Sequence, residues 1–279
     1  MKNLLYLFLI GAAVVTACKG PQGDIGPQGP IGSQGSAGPQ GVAGPNHRGD
    51  LMGFAQLLNE DGLIPTGVTD FSSVSVTAES NGIRTTAVSD RTGKFVLPNL
   101  VMGTYTLTYE RNGYGTKKVF EIHHIGGTLA PNPVPLGFIR AISTTQVNNL
   151  KVLKATKYST STGLVFAATR IDDKGSACNC RMAHIFFSQD PNPSSVKHTA
   201  ELVIPVGDET GKEFTNSERF LDSADYVKGA TPFKTGETVY AVIYGSSSTS
   251  YGYFDPATEQ FYYTALNPNP GNIVKITWP

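Results

Sequence analysis

The sequence predicts an all-β protein in which two β-sandwich domains follow a signal peptide and a segment of polyproline-II type. From Leu51 onwards, short runs of apolar and β-branched residues end at Gly, Asn or Asp, which is typical of strands joined by tight turns. Glycine is concentrated in residues 20–46, where nine of the 31 glycines recur at every third position. The 279 residues suffice for about two domains at roughly 100 to 200 residues each.

The charge of the chain argues against nucleic acid as a partner. Its 22 Lys and Arg residues balance 22 Asp and Glu residues, and no basic block interrupts that balance. Phosphate binding requires an excess of basic side chains on some face of the protein. We therefore expect no nucleic-acid partner.

Residues 1–17 predict a secretory signal peptide, with Lys2 before an apolar run that is too short to span a membrane with margin. The segment Val15-Thr16-Ala17-Cys18 resembles the bacterial lipobox, in which the cysteine is lipidated and becomes the mature N-terminus. The resemblance implies a lipidated N-terminus at residues 18–19 and membrane lipid as a partner through Cys18. The alternative is an ordinary signal peptide in which Cys18 is incidental. Because Lys19 rather than aspartate follows, we expect an exported protein anchored to the outer membrane at the cell surface.

Residues 20–46 consist of nine unbroken Gly-X-Y triplets, from Gly20 to Asn46. Three polyproline-II chains wind together only when every third residue is glycine, because nothing larger fits at the axis. The segment resembles the collagen-like repeats of bacterial surface proteins, and this resemblance implies a homotrimer. The alternative is an extended monomeric spacer of roughly 80 Å at about 3.1 Å per residue.

The first globular domain is predicted over residues 47–142, directly after the repeat. It opens with Arg48-Gly49-Asp50, a tripeptide that invites an integrin-binding interpretation, although glycine and aspartate here also suit a joint and a turn. Predicted strands cover residues 51–58, 74–78, 83–88, 94–97, 105–109, 117–122 and 136–139. Residues 89–93 are predicted to form a tight turn, in which Asp90 supplies side-chain capping and Gly93 a positive φ. In residues 105–109 the tyrosines and leucine share one face and the threonines the other, so one side of that strand is buried. The proline-rich residues 130–135 are expected to stiffen the approach to the last strand.

The order of turn and strand residues in this domain resembles the carboxypeptidase regulatory-like domain. The residues that carry the resemblance are Gly67-Val68, Ser89-Asp90, Gly93-Lys94-Phe95, Leu100, Gly103-Thr104-Tyr105 and Gly113-Tyr114. It implies a seven-stranded sandwich of the transthyretin (prealbumin) type and an accessory, non-catalytic module. Residues 47–142 contain no His-x-x-Glu zinc motif. His123 and His124 are predicted to point to opposite faces of a strand, so that they do not share a metal.

The second globular domain is predicted over residues 146–279, as an immunoglobulin-like or fibronectin type III-like sandwich. Its predicted strands cover residues 164–168, 183–187, 200–206, 238–244, 251–254, 261–263 and 273–278. Residues 217–227 are predicted to form one short helix, with Ser217 as its N-cap and with Phe220, Leu221 and Tyr226 facing inward. Cys178 and Cys180 form either a local disulfide, which needs a turn between them, or two free thiols.

The aromatic residues near the C-terminus include the candidate ligand contacts Tyr251, Tyr253 and Tyr263. Together they could present a platform on which sugar rings stack. The alternative is that strand alternation turns half of these rings into the core and leaves the others as cross-strand pairs.

No catalytic residue, metal ligand or cofactor is predicted, because the sequence has no nucleophile elbow, zinc motif or phosphate loop. The favoured hypothesis is a surface-anchored, non-enzymatic lipoprotein that displays two sandwiches on a collagen-like stalk for structural or adhesive interaction with a surface protein. The alternative is a glycan-binding accessory lipoprotein of a polysaccharide-uptake system.

Overall fold

A computed structural model describes residues 47–159, 161–172, 181–222, 232–247 and 251–279 of the chain. Within these ranges all helical and strand assignments are strands, so the predicted all-β class is confirmed. The signal peptide, Cys18, the Gly-X-Y segment and the pair Cys178 and Cys180 lie outside the described residues.

The first sandwich is built from eight strands in two sheets. The strands are β1 (Arg48–Leu58), β2 (Ser75–Ser80), β3 (Ile83–Val88), β4 (Lys94–Val101), β5 (Gly103–Glu110), β6 (Lys117–His124), β7 (Gly127–Pro133) and β8 (Gly137–Arg140). One sheet has the order β4-β1-β7, with β8 also paired to β1, and the other has the order β3-β2-β5-β6. The core between them includes Leu51, Val76, Leu97, Leu107 and Tyr109.

The alternation in β5 follows the sequence prediction. Tyr105, Leu107 and Tyr109 are buried in the core, while Thr106 and Thr108 lie on the outer face of the sheet. Fully burying side chains of this size contributes roughly 1.5 to 3 kcal/mol each. The strand therefore fixes which face of its sheet meets solvent.

The turn between β3 and β4 also has the predicted chemistry. The Asp90 carboxylate accepts hydrogen bonds from the backbone N–H groups of Thr92 and Lys94, at 2.8 and 3.0 Å. Gly93 has a φ of 86°, and a Cβ at this position would lie 2.2 Å from the carbonyl oxygen of Ala55. Only glycine fits this close approach of the turn to β1.

Strand β7 is a correction to the sequence prediction, which treats its prolines only as a stiff connection. It pairs in parallel with β1, with Gly49 opposite Gly127 and Leu51 opposite Asn132. Farther along the same edge of β1, β8 takes over the pairing, with Ala55 opposite Gly137. Proline occurs in sheets mainly on edge strands, and β7 is such a strand.

The second sandwich has eight strands, and a separate hairpin packs beside it. The strands are β9 (Val147–Lys157), β10 (Ser161–Arg170), β11 (Met182–Ser188), β12 (Ala200–Pro205), β13 (Glu213–Thr215), β14 (Arg219–Asp222), β15 (Thr238–Ser246) and β18 (Ile273–Thr277). The hairpin consists of β16 (Gly252–Asp255) and β17 (Gln260–Tyr263). One sheet pairs β10 with β9 on one edge and with β13 and β14 on the other, and the second sheet has the order β12-β11-β15-β18. Their shared core includes Phe166, Ile185, Phe187, Ile243 and Trp278.

The predicted helix over residues 217–227 is wrong where the structure describes it. Residues 219–222 form β14, which pairs antiparallel with β10, with Leu221 opposite Thr162. Leu221 is buried as expected, but Phe220 is 44% exposed rather than turned inward. The edge of β10 offers unpaired backbone groups along this stretch, and pairing with that edge overrides the local helical pattern.

Strand β9 is a second addition to the predicted set. Its pairing with β10 shifts register twice, and Asn149 within it has a left-handed φ of 54°. Bulges of this kind break the strict alternation of apolar and polar residues. The strand is therefore hidden from a search for period-two patterns.

Candidate binding site at the seam of the two sandwiches

The hairpin β16–β17 lies between the two sandwiches, and its two faces serve different neighbours. On one face, the rings of Phe261 and Tyr263 are in contact at 4.7 Å between centroids. The ring of Tyr263 also lies 5.8 Å from that of Phe186 and 4.6 Å from that of His184, both on β11. This face therefore packs on the outer side of the second sandwich.

The other face of the hairpin meets the first sandwich. Tyr253 and Tyr262, which are directly opposite each other, stack with centroids 5.4 Å apart and planes 21° apart. The ring of Tyr253 lies 6.1 Å from that of Phe120 on β6, and the Lys118 ammonium lies 5.4 Å from the Tyr253 centroid. We call this contact region between the hairpin and the first sandwich the seam.

Tyr251, just before the hairpin, is also part of the seam. Its hydroxyl donates a 2.6 Å hydrogen bond to the carbonyl oxygen of Phe138. The Arg140 guanidinium lies 5.0 Å from the centre of the Tyr251 ring, a cation–π contact. Burial raises the pKa of the Tyr251 hydroxyl, against the opposing effects of a hydrogen bond with the Arg140 backbone and of the Arg140 charge.

The three tyrosines predicted as ligand contacts therefore do not converge on one surface. Tyr251 is engaged with the first sandwich, and Tyr263 packs on Phe186 and donates its hydroxyl hydrogen to Glu201. Of the three, Tyr253 contacts a residue that lines an open groove, namely Phe120.

This groove runs across the outer side of the sheet β3-β2-β5-β6 to the tip of the hairpin. It has a volume of about 460 Å³. The first sandwich lines it with Glu79, Ser80, Asn81, Gly82, Thr104, Tyr105, Thr106, Lys118, Phe120 and Glu121, and the hairpin contributes Asp255, Pro256 and Ala257. We call it the seam groove. The first sandwich and the hairpin are both needed to form it.

A β-bulge shapes the wall of the seam groove. Tyr105 pairs with Ile122 and Leu107 with Val119, so Thr106 faces two residues of β6, Phe120 and Glu121. Glu121 has a φ of 58°, in the left-handed region that a residue other than glycine rarely adopts. Bulges of this type redirect side chains and are common next to functional sites.

Phe120 and Lys118 were not predicted as site residues. The predicted strand 117–122 contains a usable signal at Val119, which packs toward the core. Ile122 reaches the same side only because the bulge shifts the alternation. Lys118 and Phe120 then fall on the polar outer side, where a large aromatic side chain needs a partner. That the partner is Tyr253 depends on how the domains pack, and no local pattern encodes this.

A polar cluster of Glu60, Thr144 and Ser247, which we call the Glu60 cluster, joins the sandwiches at a second place. It lies where residues 143–145 connect the two sandwiches. The Glu60 carboxylate accepts hydrogen bonds from the Thr144 backbone N–H at 2.6 Å and from the Ser247 hydroxyl at 2.6 Å. Burial tends to raise the pKa of Glu60, but these bonds and the charge of Arg181 outweigh it, and the pKa lies below its usual value. No local sequence pattern marks Glu60, because its partners come from distant segments.

His184 lies fully buried beneath the hairpin, between Tyr263 and Phe186. Neither of its ring nitrogens has a hydrogen-bond partner among the described residues. Burial lowers the pKa of His184 to about 4. The imidazole is therefore neutral at pH 7 and acts there as part of an apolar contact.

Two sequence features that invited functional interpretations have structural roles. In Arg48-Gly49-Asp50, the Arg48 guanidinium donates to the Asn99 carbonyl and the Asp50 carboxylate accepts from the Asn99 N–H, both at 2.9 Å. His123 is exposed whereas His124 is buried, as the opposite-face prediction requires. His124 contacts the Leu100 carbonyl at 3.2 Å through Nε2.

Two kinds of feature are absent from the described ranges. They contain no cluster of three or more His, Cys, Asp or Glu side chains arranged to hold a metal ion. They also contain no helix with the length and apolar character needed to cross a membrane.

The fold and the seam define an all-β protein made of two packed sandwiches. Within the first sandwich, residues 68–130 match the carboxypeptidase regulatory-like domain family, which confirms the resemblance drawn from the turn and strand residues. This match covers less than a quarter of the chain. No curated protein sequence matches the chain significantly.

Solved structures with some similarity come from several bacteria. A DUF3823 family protein from Bacteroides ovatus ATCC 8483 shares 14% identity and a TM-score of 0.29, with 83% of this chain and 100% of that chain covered. A Bacteroides uniformis ATCC 8492 protein, described provisionally as carbohydrate binding, shares 14% identity and a TM-score of 0.25, with coverage of 84% and 100%. A type II cohesin–X–dockerin complex of Acetivibrio cellulolyticus shares 18% identity and a TM-score of 0.27; the match covers 33% of this chain and 58% of that one. These similarities are too low to carry a functional argument.

Proposed function

We propose that this protein is a non-enzymatic lipoprotein, anchored to the outer membrane through Cys18, that displays two β-sandwiches as one unit for structural or adhesive interaction at the cell surface. The observation that carries the proposal is the double connection between the sandwiches. The seam tyrosines and the Glu60 cluster join them at two separate places. A display protein benefits from such rigidity because a binding surface held in one geometry loses less entropy on binding.

The anchor is tested by fractionating cells that produce the wild type or the Cys18→Ser variant. We expect the wild type in the outer-membrane fraction, accessible to protease on intact cells, and the variant absent from that fraction. Cys178→Ser is the matched control, because it replaces a cysteine with serine without touching the lipobox. Equal amounts of wild type and Cys18→Ser protein in the outer membrane would contradict the anchor.

The collagen-like segment contributes either a trimer or a monomeric spacer to this display. Analytical ultracentrifugation of the mature protein, with and without residues 20–46, separates the two. A trimer that becomes a monomer when residues 20–46 are deleted supports assembly through the Gly-X-Y repeat. A monomer both with and without these residues supports the extended monomeric spacer.

A second candidate function is glycan binding, and the seam groove is the observation that favours it. Aromatic rings beside hydroxyl, amide and carboxylate groups suit a sugar, which has apolar ring faces and a polar edge. Binding of the purified protein to a glycan array tests this function. An array without any bound glycan would eliminate it and leave the display function intact.

A further inference from the structure

We propose that the seam groove binds an extended neutral glycan, and that it does so only when the two sandwiches are docked. This inference rests on the glycan-binding candidate and deepens it by naming the site and the ligand class. The groove is a composite, because Phe120 and Lys118 come from the first sandwich and Asp255 comes from the hairpin.

The aromatic part of the groove stands at its junction with the hairpin. Phe120 is half-buried, lines the groove and lies 6.1 Å from the ring of Tyr253, which in turn stacks on Tyr262. Phe120 therefore offers the groove an apolar surface for the face of a sugar ring, and the Tyr253 ring packs against it from the hairpin. Aromatic side chains supply such contact area with few rotatable bonds to immobilise.

The polar part of the groove identifies the ligand as neutral. Glu79, Glu121 and Asp255 place three carboxylates along it, against one lining cation, Lys118. Glu79 is also paired with Arg84 at 2.8 Å, outside the groove lining. Carboxylates accept hydrogen bonds from sugar hydroxyls, but they repel sulfate, uronate and phosphate groups. An anionic glycan is therefore disfavoured.

The shape of the groove indicates an extended chain rather than a terminal sugar. It runs from the turn between β2 and β3, at Asn81 and Gly82, across β5 and β6 to Pro256 at the hairpin tip. The bulge at Glu121 holds a strained φ of 58° in the middle of this path. Strain of this kind often marks a site that binds a ligand.

Affinity electrophoresis and a glycan array of the purified full-length mature protein test the proposal. The probes are neutral glucans, xylans and mannans, and the anionic comparison set is alginate, polygalacturonate and heparin. We expect binding within the neutral set alone. Phe120→Ala and Asp255→Ala should each weaken it about tenfold or more, the loss typical of a central contact.

The matched control is Phe254→Ala, because Phe254 is an exposed aromatic residue of the same hairpin that does not line the groove. It should bind like the wild type. Circular dichroism melting of each variant verifies that the fold is intact, and Asp255→Asn tests the carboxylate with the least structural change. If Phe120→Ala and Asp255→Ala bind glycan as tightly as the wild type, the seam groove is not the binding site, although glycan binding itself still stands. No binding to any glycan would overturn both, and binding to anionic glycans alone would overturn the ligand class.

Discussion

The hydroxyl of Ser247 donates a 2.6 Å hydrogen bond to the carboxylate of Glu60, across 187 positions of sequence. Glu60 follows the first strand of the first sandwich, and Ser247 follows β15 of the second. The hydroxyl oxygens of Ser143 and Ser247 lie 2.6 Å apart, which extends the cluster into the connection between the sandwiches. One carboxylate thus joins three distant segments, and its removal should loosen all of them.

Replacing Glu60 tests this cluster. Glu60→Ala should lower the free energy of unfolding by about 2 kcal/mol, since it leaves the Thr144 N–H and the Ser247 hydroxyl without their charged acceptor. Glu60→Gln should cost less, because its amide oxygen can still accept. Urea denaturation of both variants measures the effect. Glu209→Ala, which removes an exposed carboxylate from a surface ion pair, is the control and should stay near the wild type. A Glu60→Ala value equal to the control would refute the role of the cluster.

The close approach at Gly115 tests the seam itself. A Cβ on Gly115, in the first sandwich, would lie 2.4 Å from the carbonyl oxygen of Thr264, beyond the hairpin. Because a backbone atom cannot move aside easily, Gly115→Ala should push the hairpin from the first sandwich and lower the melting temperature by several degrees. Gly103→Ala is the matched control, since its Cβ would meet nothing closer than 3.9 Å. Equal melting temperatures for the two variants would mean that the seam is not tightly packed.

His184 gives a pH dependence whose sign follows from its burial. Its pKa is about 4 in the folded protein and about 6.5 in an unfolded chain. Between these values the unfolded state binds more protons, so stability falls as the pH drops from 6.5 toward 4. At pH 5 this group should have removed roughly 2 kcal/mol of the stability present at pH 7.

The variant His184→Leu should abolish that contribution, because leucine fills a similar volume without a titrating group. Thermal melts at pH 7 and pH 5 should therefore differ less in this variant than in the wild type. His123→Gln, which removes an exposed imidazole, is the control and should keep the wild-type difference. If His184→Leu and wild type lose the same stability on acidification, the buried neutral imidazole is not responsible.

Much of the first sandwich was predictable because its strands obey local rules. The alternation over Tyr105 to Tyr109 and the turn from Ser89 to Gly93 have the structure that their residue types predict. The strands that the sequence analysis did not predict share one cause. Strands β7, β9 and β14 are edge or bulged strands, and what stabilises them is pairing with the edge of a neighbouring strand, β1 or β10.

The candidate site was predictable only in part. The C-terminal aromatic residues were recognised as a group, and alternation correctly divides Tyr253 and Tyr262 from Phe261 and Tyr263. What sequence could not supply is the contact of Tyr253 with Phe120, because it depends on the packing of one sandwich against the other. The same holds for Glu60, whose partners lie 84 and 187 positions away.

The central claim is that the two sandwiches behave as one unit, joined at the seam and at the Glu60 cluster. Differential scanning calorimetry of the purified protein tests it most directly. We predict a single cooperative transition for the wild type in the part of the heat-capacity curve that reports the sandwiches, and two separated transitions for the double variant Glu60→Ala, Gly115→Ala. Two independent sandwich transitions in the wild type, unchanged in the double variant, would contradict the claim.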